Sequence, residues 1–250
     1  GDNIQGPSLI RVPDWIEKPL GRYYLYFADH KGKYIRLAFA DELTGPWQVH
    51  VPGSLHLEDS LFPTEPPAIP KDGGAAAIAS SRASMPGKRT HDFIFEATTT
   101  HIASPDVHVD TEKRQIVMYF HGLEAFAKQA TRVALSKNGI NFTAKPEILG
   151  RTYFRVFQRP DAVYAMAMPG QFYRSKDGYS SFKGGPRLFN PDMRHAALLQ
   201  CGDTMHVFWT QVGHAPESIL LSSIDLSDDW NNWKVSEPIV VLRPEFSWEG

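Results

Sequence analysis

Apolar and polar positions alternate along this chain in short bursts, and the bursts recur in one layout. The first is Tyr23–Ala28, a polar loop, Tyr34–Phe39, and a turn ending in Gly45-Pro46-Trp47. The second is Ile116–Phe120, a loop, Thr131–Ser136, and a turn with Phe142. The third is Ala162–Ala167, Phe172–Ser175 and Phe182; the fourth is Met205–Trp209, Ser218–Ser222 and Trp233. Each run is rich in aromatic and β-branched residues and is bounded by Gly, Pro, Asn or Asp, which is the signal of strands and turns. No run sustains a 3.6-residue period, so helices are not expected to dominate. A further short strand precedes each repeat: Gly6–Ile10, Ser104–His108, Tyr153–Phe157 and His195–Leu199. Pro7 and Pro105 suit the first residues of such strands, where a missing N–H costs no ladder bond.

Four strands per repeat, at roughly 40–50 residues each, describe the blade of a β-propeller. The turn aromatics at 47, 142, 182 and 233 fit that spacing except for the first gap. That gap is expected to hold a loop insertion over 63–99, punctuated by Pro and Gly, in which only Asp92–Glu96 reads as an extra strand. The expectation is therefore one all-β domain over 1–250, a five-bladed propeller with four recognisable blades. The fifth is either missing after Gly250 or supplied by strands hidden in the insertion.

Composition narrows the function classes. The chain has 250 residues, 26 Lys+Arg against 28 Asp+Glu, and a net charge of −2. That balance argues against a nucleic-acid partner, which leaves a basic footprint. The single cysteine, Cys201, rules out an internal disulfide and any cysteine-built zinc cluster. No apolar run nears the ~18 residues of a membrane span, so no membrane partner is expected. The given sequence does not open with a signal peptide, which leaves localisation open.

The segments Gly6–Ile10, Gly21–Tyr26 and Gly45-Pro46-Trp47 resemble the first blade of five-bladed β-propeller glycoside hydrolases. That group includes arabinanases, β-xylosidases, levansucrases and invertases, and glycoside hydrolase family 43. Ser104-Pro105-Asp106 followed by Met118-Tyr119-Phe120 resembles their second blade. The turns Ser136–Phe142 and Ser175–Gly178 resemble a serine–aspartate turn of sugar-cleaving propellers, sialidases included. The resemblance implies a general-base Asp immediately before the first-blade Pro, where this chain has Gly6. It also implies a general-acid Glu on the third innermost strand, where this chain offers Tyr153, Phe154 and Arg155. Only Asp106 matches, and the resemblance gives it the role of orienting the acid and tuning its pKa.

Blade geometry selects candidates independently. Strand 2–3 loops and the starts of the innermost strands share one face. On that face fall Asp2, His30, Asp106, His108, His121, Arg155, Arg194, His195, Trp209, His214 and Glu217, and the last connection adds Glu245 and Glu249. Asp106, Glu217 and Glu249 are the candidate catalytic carboxylates. Glu217 would serve as a general acid if buried near apolar groups, which raise a carboxyl pKa. The remaining members are candidate substrate-binding residues, and the two arginines suggest an acidic sugar. Plainer roles compete with each: a strand-start hydrogen bond for Asp106, a core histidine for His121, exposed loop histidines at 30 and 214, an edge charge for Glu217, inter-blade salt bridges for the arginines, and core packing for Trp209. The turn aromatics are expected in the inter-blade core.

The expected function is hydrolysis of a glycosidic bond in an oligo- or polysaccharide, with a carbohydrate ligand. The alternatives are a non-catalytic carbohydrate-binding propeller and a propeller used for protein contacts. No cofactor is expected, although a structural calcium or other cation at the propeller centre is conceivable from oxygen and imidazole donors. Oligomeric state and sugar identity stay open.

Overall fold

The computed structural model describes residues 4–84 and 93–246. Among these residues sixteen strands form four antiparallel sheets, each a simple up-and-down meander. The first sheet holds β1 (Gln5–Arg11), β2 (Tyr23–Ala28), β3 (Tyr34–Ala40) and β4 (Gln48–His56). The second holds β5 (Ile102–Asp110), β6 (Gln115–Ala125), β7 (Lys128–Ser136) and β8 (Thr143–Ala144). The third holds β9 (Arg155–Gln158), β10 (Val163–Ala167), β11 (Gln171–Ser175) and β12 (Lys183–Arg187). The fourth holds β13 (Met193–Cys201), β14 (Thr204–Gln211), β15 (Ile219–Asp225) and β16 (Ile239–Leu242). These are the four blades the sequence predicts, and a fifth is not seen among the described residues.

The chain divides into two compact units. Residues 1–70 and 94–152 form one, holding the first two blades; residues 71–93 and 153–250 form the other, holding the last two. Each has its own apolar core.

The first unit packs the alternate apolar positions of β2 and β3 against those of β5 and β6, around Tyr24, Tyr26, Ile35, Leu37, Ile116, Met118 and Phe120. The turn after β7 closes this core. Ser136 Oγ accepts from the N–H groups of Asn138 and Gly139, and Asn138 Oδ1 accepts from those of Ile140 and Asn141. The turn thereby presents Phe142 edge-on to Tyr26, with ring centroids 5.8 Å apart. The buried Tyr26 hydroxyl donates to the Gly139 carbonyl at 2.6 Å. Gly139 has φ of +71°, and a Cβ there would stand 2.9 Å from the Tyr26 hydroxyl oxygen, so the position takes no larger residue without a shift.

The second unit repeats the design with its own residues. The Ser175–Asp177 turn makes the same bonds, its carboxylate accepting from the N–H groups of Tyr179 and Ser180. Trp233, from the turn after β15, packs on Tyr164 and Phe172 of the third blade at 5.3 and 5.5 Å. Phe142 and Trp233 are thus inter-blade core as expected; Trp47 is half-buried and donates to the Leu43 carbonyl.

Residues 63–99, expected to be loop with one strand, carry two helices among their described residues. Helix α1 (Ala75–Ser84) follows an alanine run with high helix propensity. Asp72 opens it by accepting from the N–H groups of Gly74 and Ala76, and these bonds hold its carboxyl below the usual range. The segment read as an extra strand becomes helix α2 (Phe93–Thr98), and Asp92 lies outside the described residues. In a six-residue stretch, an apolar alternation and one helical turn look alike.

A left-handed residue stands at or just before the start of every innermost strand, and three of the four also carry a register shift. In the first, second and fourth blades the register with the neighbouring strand shifts between Gln5 and Ser8, between Ala103 and Asp106, and between Arg194 and Ala197. Within each shift one residue is left-handed: Gly6 (φ +55°), Ser104 (+50°) and His195 (+45°). In the third blade Tyr153 (+62°) stands in the matching place, two residues ahead of Arg155. The residue two positions on then pairs with the middle of strand 2: Ser8 with Tyr26, Asp106 with Tyr119, Arg155 with Met166, and Ala197 with Phe208. A left-handed non-glycine residue costs about 1–2 kcal/mol, and such bulges re-aim side chains at strand ends.

Replacing Tyr26 by Phe leaves the buried Gly139 carbonyl without its donor. Denaturant unfolding of Tyr26→Phe should show a loss of about 1–3 kcal/mol; unchanged stability would mean the hydroxyl does not tie the two blades together.

Candidate functional site

In the first unit, the left-handed step at Ser104 sets Asp106 on β5. Residues i and i+2 of a strand share a face, so His108 lies beside it. The His108 Nε2 donates to Asp106 Oδ2 at 2.8 Å, and the His108 ring stands edge-on to Tyr119 at 6.0 Å. The Asp106 side chain is 13% exposed and that of His108 40% exposed. The carboxylate is thus held against the strand while the imidazole meets solvent.

A second cluster forms at the start of the same strand. Lys31, in the β2–β3 loop, is nearly buried and binds Glu96 of α2 at 2.9 Å. His30 lies 3.6 Å from the same carboxylate and 3.5 Å from the Gln5 amide. His101, 2% exposed, donates from Nδ1 to the Thr99 carbonyl at 2.7 Å, which leaves Nε2 as an acceptor. Burial, and then the nearby Lys31 charge, push the His101 pKa down to about 4. His121, also buried, lies edge-on to His101 at 5.9 Å.

Between these clusters Gly6 meets Ser104. A Cβ on Gly6 would fall 2.7 Å from the Ser104 Cα, so a side chain there requires the backbone to move. Ser8, on the next turn of β1, accepts from the Val107 N–H at 2.9 Å and ties the two innermost strands.

In the second unit, Arg194 Nη2 contacts both oxygens of Glu217 at 3.0 Å. Burial raises the Glu217 pKa, but the hydrogen bonds from Arg194 and Thr210 and the charges of Arg194 and His195 outweigh it, so the net shift is downward. Arg155 donates from Nε to the Ala196 carbonyl at 2.9 Å, joining the third and fourth innermost strands. The Tyr153 and His195 rings lie 5.5 Å apart, tilted by 47°.

No family model matches the chain. The chain is 31% identical over 274 aligned residues to an uncharacterized protein of Acanthamoeba polyphaga mimivirus, covering 99% of this chain and 70% of that one. It belongs to the family of that viral protein. Among solved structures it is similar to an exo-β-1,3-galactanase of Phanerochaete chrysosporium, with a TM-score of 0.60, 13% identity, and coverage of 95% of this chain and 50% of that one. It is also similar to an α-L-arabinofuranosidase of Clostridium thermocellum, with a TM-score of 0.56, 13% identity, and coverage of 96% and 74%. An endo-arabinase of Bacteroides thetaiotaomicron gives a TM-score of 0.59 at 12% identity, with coverage of 95% and 81%. The chain thus spans half the length of the galactanase. At these identities the likeness shows the fold, an all-β β-propeller with four blades among the described residues.

The candidates named from sequence fall into distinct settings within this family member. Asp106 and His108 meet directly, and His121 sits against His101, which the sequence reading missed together with Glu96. Arg194, Glu217 and His195 meet in the second unit. The acid role expected of Glu217 is corrected: the side chain is exposed and paired with an arginine, which keeps it ionised. Trp209 as a sugar platform is also corrected. It is 3% exposed, donates from Nε1 to Ser222 Oγ, and packs on Phe189. His214 and Glu245 are exposed, and Asp2 and Glu249 lie outside the described residues. Among the described residues no three His, Cys, Asp or Glu side chains gather to hold a metal. No described helix is long and apolar enough to cross a membrane.

His101 supplies a pH test. Its folded pKa, about 4, lies below the ordinary 6.5, so between those values the unfolded chain binds the extra proton. Stability is then full above pH 6.5 and falls by about 3 kcal/mol as pH drops to 4. Unfolding free energies measured from pH 7 to 4 should show this slope, and His101→Gln should remove that share of it. An unchanged slope in the variant would place the titration elsewhere.

Proposed function

We propose that this protein is a glycoside hydrolase-like β-propeller that acts on carbohydrate, with Asp106 in its site. The observation that carries the reading is Asp106 itself. It is the one carboxylate at a position the glycoside hydrolase resemblance selects, set on an innermost strand by a left-handed step and held by His108 at 2.8 Å. Support comes from the fold, shared with proteins described as a galactanase, an arabinofuranosidase and an arabinase, the first of them crystallised with β-1,3-galactotriose. Glycoside hydrolysis uses two carboxyl groups across the scissile bond. In this reading Asp106 is one of them or orients one, with His108 fixing its rotamer. A five-bladed closure of the propeller as a single domain remains part of the proposal.

Nothing favours an acidic over a neutral sugar. Arg194 is engaged by Glu217, and Arg155 by backbone carbonyls of Phe154 and Ala196.

A second reading is a carbohydrate-binding propeller without catalysis. Gly6 favours it, because the place where the resemblance puts a general base is closed to a side chain by Ser104.

A hydrolysis screen separates the two. Purified protein is incubated with neutral, uronic and sulfated oligosaccharides, and products are read by mass spectrometry. Release of a sugar, reduced about a hundredfold or more in Asp106→Asn, supports the hydrolase. Binding without release supports the second reading, and neither binding nor release contradicts both.

A further inference from the structure

The left-handed step at the start of each innermost strand needs no ring. The first blade makes it with Gly6 and the second with Ser104, residues that carry little or no side chain into the turn. The third and fourth blades make the same step with Tyr153 and His195. A tyrosine is disfavoured in this backbone conformation, a histidine less so, and strained residues gather at ligand sites. The rings are not there for the core either. His195 is exposed and Tyr153 half-buried, and neither belongs to the apolar cluster of the second unit. Their ring centroids lie 5.5 Å apart, with the planes tilted by 47°.

Polar groups lie close by in sequence and across the strands. Arg194 adjoins His195 in sequence and holds Glu217, whose carboxylate is stabilised by the His195 and Arg194 charges. Asn190 donates to the Gln211 side chain at 3.1 Å, beside the paired residues Met193 and Gln211. Arg155 ties the two strand starts together through the Ala196 carbonyl. The two strand starts that carry these half-buried and exposed rings are thus tied to each other.

We propose that Tyr153 and His195 form an aromatic platform that stacks one face of a sugar ring, with Arg194 and Glu217 meeting its hydroxyl groups. A pyranose or furanose ring presents apolar C–H groups on its face and hydroxyls around its edge. An aromatic pair flanked by an ion-paired arginine and carboxylate matches both surfaces. The ligand class is an uncharged sugar, because the positive charge of Arg194 is already balanced. This inference rests on the carbohydrate reading above and names a sugar-contacting set that lies within the second unit.

The test uses Tyr153→Gly and His195→Gly in the full chain, with β-1,3-galactotriose, arabino-oligosaccharides and xylo-oligosaccharides as probes in titration calorimetry. Glycine suits the left-handed backbone, so both variants should fold with a melting temperature equal to or above that of the wild type. Affinity for the probe bound by the wild type should fall about tenfold in each. Tyr153→Phe should bind within about threefold of wild type, since the ring and not the hydroxyl does the stacking. Glycine variants that bind as the wild type does would overturn the platform and leave the carbohydrate reading standing. Glycine variants that melt well below the wild type and keep their affinity would show the rings to be structural, with the same consequence. A wild type that binds none of the probes would overturn the platform together with the reading on which it rests.

Discussion

One backbone event recurs at the head of every innermost strand: a single residue turned into the left-handed region, after which the chain resumes the sheet. The following positions depend on it. It shifts the register by a bulge in three blades, so that the residue two places on meets the middle of the neighbouring strand. Those residues are Ser8, Asp106, Arg155 and Ala197, and three of the four carry polar side chains that bond across to another blade or to a near neighbour. The step therefore converts four similar meanders into rims that differ only in what side chain is set there. Its identity is constrained as well: at Gly6 the close approach of Ser104 leaves no room for a Cβ.

What holds the blades in place is separate from what the rims carry. Inside each unit, aromatic residues from one blade's outer turn press on strand 2 of the blade before it, as Phe142 does on Tyr26 and Trp233 does on Tyr164. The serine–asparagine turn fixes Phe142 with backbone bonds that need no neighbour, and Trp233 is held in its own turn by its Nε1 donating to the Asp228 carbonyl. Because stability is drawn from these apolar contacts, the strand starts outside them can hold strained or charged residues, buried or exposed. The Lys31–Glu96 pair and the neutral His101 in the first unit, and the Arg194–Glu217 pair in the second, all lie outside the two apolar clusters.

Much of this was legible in the chain. Alternating aromatic runs between Gly, Pro, Asn and Asp located the first three strands of each blade within a few residues, because their faces are patterned by burial; the outer fourth strands, short or largely exposed, carried no such pattern. The Ser-Lys-Asn-Gly and Ser-Lys-Asp-Gly turns announced themselves by residue type. The site was less legible. Asp106 and His108 could be paired because strand periodicity puts alternate residues on one face. Glu96 could not, since it sits on a helix one turn and a half long whose apolar pattern also fits a strand. His101 lies just before a strand and owes its character to burial beside Lys31, a tertiary fact. Trp209 looked like a rim residue from its place near the strand end, yet its register turns it inward to Ser222. The left-handed steps were invisible for the same reason: tyrosine, histidine and serine give no sign of positive φ, and only Gly6 could have suggested one.

The central claim is that the rims at the heads of the innermost strands meet carbohydrate. Amide hydrogen exchange of the full chain, with and without a saturating oligosaccharide that it binds, tests this most directly. The account predicts added protection at residues 5–8 and 103–108 of the first unit or at 153–155 and 194–197 of the second, with the outer strands β4, β8, β12 and β16 unchanged. Protection confined to the outer strands or to the turns at the opposite strand ends would contradict it.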